Sequence, residues 1–139
     1  MRGRRDDRTD KVIAGTGIDI VEIPRMRDSI KKWGNSFISK VFTAREVKYS
    51  NSKRFSEQHF AARFAAKEAV VKAFGEPIKH PIRWTDIEVI NNSEGKPIIE
   101  FRGDALKLKK KKKIDEIIVS MSHSRNYAIA SVILLRKKI

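Results

Sequence analysis

Glu68 and Lys72 stand four residues apart in an alanine-rich segment, a spacing that puts a carboxylate and an ammonium on one helix face. An exposed pair of this kind is commonly a plain helix ion pair, contributing about 0.3–0.5 kcal/mol. The same two groups also suit phosphate chemistry, the carboxylate as a hard oxygen ligand for Mg²⁺ and the lysine as a point charge. Mg²⁺ takes one or two carboxylates and completes its octahedron with water and phosphate oxygens. A second carboxylate from elsewhere in the chain is then required, and Asp19 is the candidate. Gly15, Gly17 and Asp19 alternate along an extended segment, so two glycines and an aspartate share one face and leave room for a close approach. An aspartate there can equally bond a neighbouring backbone turn.

The elements that must position these groups follow from periodicity. Residues 12–23 read as a strand, with Val12, Ala14, Thr16, Ile18 and Ile20 as its expected core face. Ile13, Gly15, Gly17, Asp19 and Val21 form the other face. Pro24 suits the first turn of a helix that reaches about residue 32 and stops at Gly34. Thr43 and Glu46 have capping-box spacing for a second short helix. The longest helix is expected over 56–74, closed by Gly75 and Pro77. Phe60, Phe64, Val71 and Phe74 form its expected core stripe, and Lys67 beside them must pair or snorkel. Ala61, Ala65 and Ala69 thin the lane that carries Glu68 and Lys72, so that a ligand or another chain could lie there. Beyond it, 84–90 and 97–101 read as a hairpin, 104–112 as a short helix, and 117–122 and 127–135 as a second strand pair. The predicted class is α+β, an antiparallel β-sheet packed with a long central helix.

A chain of 139 residues fits one domain, here 12–139 behind a polar lead-in of 1–11. No apolar run approaches the roughly 20 residues of a membrane span, and the charged start lacks a secretory core. The absence of cysteine excludes a disulfide frame, a thiolate zinc site and a cysteine nucleophile. A cytoplasmic protein is expected. Lysine and arginine number 31 against 17 acidic residues, a net charge of +14, which calls for an anionic partner. Composition alone does not choose among nucleic acid, anionic membrane, a phosphorylated cofactor and an acidic protein. No nucleic-acid recognition motif is present and the helix aromatics fall on a core stripe, so neither nucleic acid nor membrane is the expected partner. The lysine run 109–113 reads as a solvated helix end.

Gly15-Thr16-Gly17-Ile18-Asp19-Ile20-Val21-Glu22-Ile23 and Arg63-Phe64-Ala65-Ala66-Lys67-Glu68-Ala69-Val70-Val71-Lys72-Ala73-Phe74-Gly75 resemble the two signatures of the holo-acyl-carrier-protein synthases. Val119-Ser120-Met121-Ser122-His123-Ser124, followed by Tyr127-Ala128-Ile129-Ala130, is similar to the family's C-terminal strand pair. The resemblance implies a 4′-phosphopantetheinyl transferase fold and transfer of 4′-phosphopantetheine from coenzyme A to a serine of apo-acyl carrier protein. It implies Mg²⁺ at Asp19 and Glu68, with Glu68 and Lys72 as catalytic groups and the proton acceptor left open among water, Glu68 and Lys72. Arg63, Lys72, Gly75 and His123 would contact coenzyme A. Arg25 would meet the acidic carrier, with Arg27 and Arg45 extending the basic patch. A homotrimer with active sites at subunit boundaries is implied as well. His59 and His80 have no matching context and read as surface residues. The chain departs from the pattern after Gly75, where Glu76-Pro77-Ile78 replaces an expected further glycine.

Overall fold

Glycine decides how the longest helix meets the first strand. The computed structural model describes residues 10–75 and 82–138. Strand β1 (Lys11–Glu22) is followed by helices α1 (Ile23–Trp33), α2 (Asn35–Val41), α3 (Ala44–Asn51) and α4 (Ser56–Phe74). A single 3₁₀ turn, Trp84–Asp86, leads into the hairpin β2 (Ile87–Asn91) and β3 (Pro97–Phe101). Helix α5 (Gly103–Lys111) and strands β4 (Glu116–His123) and β5 (Tyr127–Lys137) complete the order. The main sheet is antiparallel in the order β1-β5-β4, and β2-β3 pair separately.

Helix α4 runs across the main sheet along β1 and β5. Its alanine lane lies against β1, where Gly15 and Gly17 face it: a Cβ on either glycine would come within 2.0 Å of the carbonyl oxygen of Ala73 or Ala69, respectively. Alanine against bare backbone is the closest helix-to-strand approach side chains permit, and it overturns two sequence expectations. The lane expected to stay free for a ligand or another chain is filled by the chain's own strand. The β1 face expected in the core points outward, with Ile18 59% and Ile20 60% exposed, while Gly15, Gly17, Asp19 and Val21 turn toward α4. The register shift between Ile13 and Gly15 leaves Ala14 without a pairing partner on β5. Of the expected aromatic stripe only Phe60 is fully buried. Phe64 and Phe74 instead meet Trp84 and Phe101 edge-on at the rim of the core.

Helix α2 was not expected from the sequence. Gly34, at φ 56°, turns the chain directly from α1 into it, and Phe37, Ile38 and Val41 bring one face of this short helix to the core. The capping box of α3 forms as read: Thr43 N donates to Glu46 Oε1 at 2.9 Å and Glu46 N to Thr43 Oγ1 at 3.3 Å. Glu46 also accepts the Val89 amide at 2.8 Å and pairs with Lys67 Nζ at 2.7 Å. Lys67 spends its remaining donors on the carbonyls of Trp84 at 2.9 Å and Ile87 at 2.7 Å. It therefore pairs rather than snorkels, wholly buried, and pins α4 to both α3 and the hairpin. Removing one partner of such a pair strands a charge and costs about 3–5 kcal/mol.

Gly17→Ala is expected to destabilise the fold by at least about 3 kcal/mol, since the new methyl meets helix backbone rather than a flexible side chain. Chemical denaturation measures this; an unchanged midpoint would show that β1 and α4 separate without cost.

Candidate active site

The close approach of β1 and α4 brings the sequence-predicted groups together. Asp19 points from β1 toward the helix and is buried. Lys72 Nζ lies 2.8 Å from Asp19 Oδ1 and donates also to the Ile18 carbonyl at 3.2 Å. Glu68, one turn earlier on α4, faces the same aspartate. Burial pushes the Glu68 carboxyl up to about 7, helped by the Asp19 carboxylate it faces, while Lys72 opposes the rise. The hydrogen bond from Lys72 to Asp19 holds the lysine above its ordinary value. Asp19 Oδ2 is buried with no hydrogen-bond partner.

This is a site short of one positive charge. Two carboxylates face each other, one lysine serves a single oxygen, and Glu68 relieves the repulsion by holding a proton near neutral pH. A hard divalent cation accepted by both carboxylates would supply the missing charge and use the stranded Oδ2. Among the described residues no cluster of three or more His, Cys, Asp or Glu forms a metal cage. Two carboxylates plus phosphate oxygens is the set Mg²⁺ favours, so the residues present fit it.

Glu68 opens onto a cleft of about 320 Å³ lined by Ile20 and Glu22 of β1, Arg25 and Ser29 of α1, Phe37 and Phe64. Of the three arginines expected at a carrier surface, Arg25 lines this cleft. Arg27 pairs with Glu57 at 3.2 Å. Arg45 pairs with Glu88 at 2.6 Å and Glu100 at 3.0 Å, beside the hairpin. Burial alone would raise Glu88, but hydrogen bonds from Thr43, Arg45 and Arg102 outweigh it and hold the carboxyl at about 2. Both Arg27 and Arg45 thus have intramolecular counter-charges.

A second group gathers at the end of β4. The His123 ring lies 5.6 Å from His59, and His59 lies 5.8 Å from Tyr49. Arg63 stacks over Tyr49 at 4.0 Å, is 2% exposed, and donates to Asn91 Oδ1 at 2.7 Å, leaving its Nε without a partner. Burial lowers both the His59 imidazole and the Arg63 guanidinium from their usual values, and the positive charge of Arg63 adds to the fall at His59. His59, read from sequence as a surface residue, is part of this cluster. The signal for it was present: His59 and Arg63 are four residues apart and share a helix face with Lys67. Gly75 sits at φ 75° as the left-handed cap of α4, donating to the Lys72 carbonyl at 3.0 Å. His80 and the departure at Glu76-Pro77-Ile78 lie outside the described residues.

Residues 15–132, which contain every group named above, match the family model described as the 4′-phosphopantetheinyl transferase superfamily. The chain belongs to that family. It is 46% identical to the holo-[acyl-carrier-protein] synthase of Halothermothrix orenii over 88% of this chain and 97% of that one. Its fold is similar to the holo-[acyl-carrier-protein] synthase of Neisseria meningitidis, with a TM-score of 0.80, 29% identity and coverage of 88% and 98% of the two chains. The holo-(acyl-carrier-protein) synthase of Bacillus anthracis, solved in complex with CoA (3′,5′-ADP), matches with a TM-score of 0.72 and 32% identity over 89% of this chain and 97% of that one.

The raised Glu68 carboxyl has a signed consequence for the metal-free protein. Folded Glu68 holds its proton up to about 7 against 4.5 for the ordinary group, so between those values the folded state binds more protons than the unfolded one. Stability of the wild type relative to Glu68→Gln is therefore expected to fall as pH rises through that window, and to level off above it. Paired denaturation curves in chelator, taken from pH 4 to 8, measure the difference; parallel curves would show that Glu68 is not perturbed.

Proposed function

We propose that Asp19, Glu68 and Lys72 are the reacting centre of a transferase that moves 4′-phosphopantetheine from coenzyme A to a serine of apo-acyl carrier protein, releasing adenosine 3′,5′-bisphosphate. The observation that carries this reading is the carboxylate pair with one stranded oxygen and one lysine, set inside the span that matches the transferase family. Residues 12–139 act as one catalytic domain, which we place in the cytoplasm. No described helix is long and apolar enough to cross a membrane.

The serine oxygen attacks the β-phosphorus of coenzyme A, forming one P–O bond as the bond to the leaving bisphosphate breaks. Such transfers need in-line positioning and charge neutralisation more than covalent help. Asp19 and Glu68 would hold Mg²⁺, which would supply positive charge to the transferring phosphate. Lys72, kept protonated by Asp19, adds a fixed positive charge and is poorly suited to take a proton. The serine proton then passes to Glu68 or to a water beside it.

Of the His123–His59–Arg63 cluster, the exposed His123 is the member open to the phosphorylated nucleotide end of coenzyme A, while buried Arg63 lies behind it as support rather than as a direct contact; Gly75 fixes the chain where α4 ends. Arg25, at the mouth of the Glu68 cleft, is placed to meet an acidic carrier as its serine enters. Arg27 and Arg45, already paired, contribute to the wider positive field that steers encounter.

A homotrimer is supported by the outer face of the main sheet. Ile20 pairs with Ile129, Ile18 stands two residues earlier on β1, and Ile118 lies farther along the same face opposite Ile133, with exposures of 38–60% for Ile18, Ile20, Ile118 and Ile129. An apolar patch of this extent on an otherwise highly charged chain calls for a covering partner. Because Asp19 lies between Ile18 and Ile20 on the same strand, a copy covering that face reaches the rim of the site.

The decisive assay is intact-mass spectrometry of apo-acyl carrier protein incubated with coenzyme A, Mg²⁺ and this protein. A gain of one phosphopantetheine is expected, falling by more than about 100-fold in Glu68→Gln and in Asp19→Ala. No gain with a range of carriers would overturn the assignment. Ile20→Glu is expected to yield monomers in light scattering, with activity reduced although Asp19, Glu68 and Lys72 are untouched. Trimers of unchanged mass in that variant would remove this sheet face from the assembly.

A further inference from the structure

We propose that the lysine-rich pole at the far end of the main sheet is a docking surface for a bilayer bearing anionic lipid headgroups. This end is remote from the site. From Lys11 to Asp19 is eight residues of strand, about 26 Å at ~3.3 Å per residue. Lys107 and the run 109–113 come from α5 and its exit, Lys11 from the start of β1, and Arg136 and Lys137 from the end of β5. Strand pairing brings them together: Lys11 lies opposite Lys137, and Asp115 feels both Lys109 and Lys137. The two carboxylates at the centre of this pole are already shared with Lys11, which lies 2.9 Å from Asp115 and 2.7 Å from Glu116. Lys107 sits 3.8 Å from Asp104 and Lys109 and Lys112 are half-buried, while Lys110, Lys111 and Lys113 are exposed and meet solvent.

Helix-end chemistry explains part of this run. Cations in a last turn complement the helix dipole, and one or two suffice. Lys113 lies beyond that explanation. It follows the helix at φ 58°, the left-handed position that glycine normally fills, while Lys113 N bonds the Lys110 carbonyl at 3.1 Å and Ile114 N the Lys109 carbonyl at 3.0 Å. A charged side chain held in a strained backbone position beside four other lysines points to use rather than to stability.

The character of the pole selects among polyanions. Its cations are almost all lysine, which acts as a point charge, whereas base and phosphate recognition in nucleic acids favours the planar arginine fork. The exposed aromatics Trp33, Phe55 and Tyr127, on which single-stranded bases would stack, belong to the opposite end of the fold. A cluster of lysines on a short helix that also carries Leu106 and Leu108 has the composition of a surface drawn to acidic lipid. Such a contact is peripheral and needs no membrane-spanning segment.

The test uses the full-length protein and co-sedimentation with vesicles of phosphatidylglycerol and phosphatidylcholine, against vesicles of phosphatidylcholine alone. Binding is expected only to the anionic vesicles, and to be lost at high salt. Lys110→Gln/Lys111→Gln/Lys113→Gln is expected to weaken it by about 100-fold, at roughly fivefold per lysine. Transfer activity with soluble carrier, assayed in parallel, should stay at the wild-type level and show that this variant folds. Lys113→Gly separates charge from strain: its melting temperature is expected to rise while vesicle affinity falls several-fold. Equal vesicle binding by wild type and the triple variant would overturn the proposal. So would absence of vesicle binding together with lysine-dependent binding to a generic DNA or RNA oligonucleotide, which would assign the pole to nucleic acid.

Discussion

The contact between the carbonyl ridge of α4 and the bare backbone of β1 governs the rest of this molecule. Gly15 and Gly17 remove the side chains that would hold the two apart, and Ala69 and Ala73 present the thinnest helix surface that still excludes water. Three consequences follow from that one approach. Asp19, the next inward residue after the glycines, is carried within hydrogen-bonding distance of Lys72 and faces Glu68. Asp19 is buried, and Glu68 is withdrawn from water far enough for its carboxyl to rise. The isoleucines of β1 are driven to the opposite face, where only another protein surface can cover them. Catalytic geometry and the apolar outer face are thus two sides of a single strand.

A second constraint keeps the helix in register along that strand. A bare glycine–alanine contact is smooth and does little to oppose sliding of α4, whereas Lys67 fixes it at three points. Its ammonium is tied to Glu46, and its other donors reach the carbonyls of Trp84 and Ile87. Glu46 in turn closes the α3 cap and holds the β2 amide of Val89. Burial pushes the Lys67 ammonium below its ordinary value, and Glu46 opposes the fall. Replacing such a network by apolar packing can leave stability unchanged, but directionless contacts would not specify where along β1 Glu68 stops. Lys67 precedes Glu68 directly, so the buried pair sets the position of the residue whose carboxyl must meet Asp19.

These two constraints explain what was legible in the sequence. The site groups could be named because their types, spacing and flanking residues are local information: Glu68 and Lys72 on one helix, Asp19 beside two glycines. Helix α4, the α3 capping box and both strand pairs are likewise local patterns. The inward face of β1 was misread because alternation counts apolar residues, and here the inner positions are glycine and aspartate while the isoleucines are exposed. The same error assigned the phenylalanines of α4 to the centre of the core, although bulk at the centre would have kept helix and strand apart. Helix α2 escaped notice because Gly34 marks a turn between helices as readily as an end. His59 belongs to its cluster only through Tyr49 on α3 and His123 on β4, contacts that no single segment displays.

The charge distribution completes the physical picture, because the two ends of the sheet use positive charge differently. At the site end Lys72 is committed to Asp19, Arg63 to Tyr49 and Asn91, and Arg27 to Glu57, while Arg25 lines the cleft. What the paired cations contribute depends on where their partners hold them. At the other end Lys110, Lys111 and Lys113 are exposed, and their contribution lies in summed field, which falls off over a Debye length of about 10 Å in ordinary salt. A field of that range cannot contribute to chemistry about 26 Å away along β1. Net charge alone would have merged these two roles. The length of one strand separates cations held by defined partners from exposed lysines that act through their summed field.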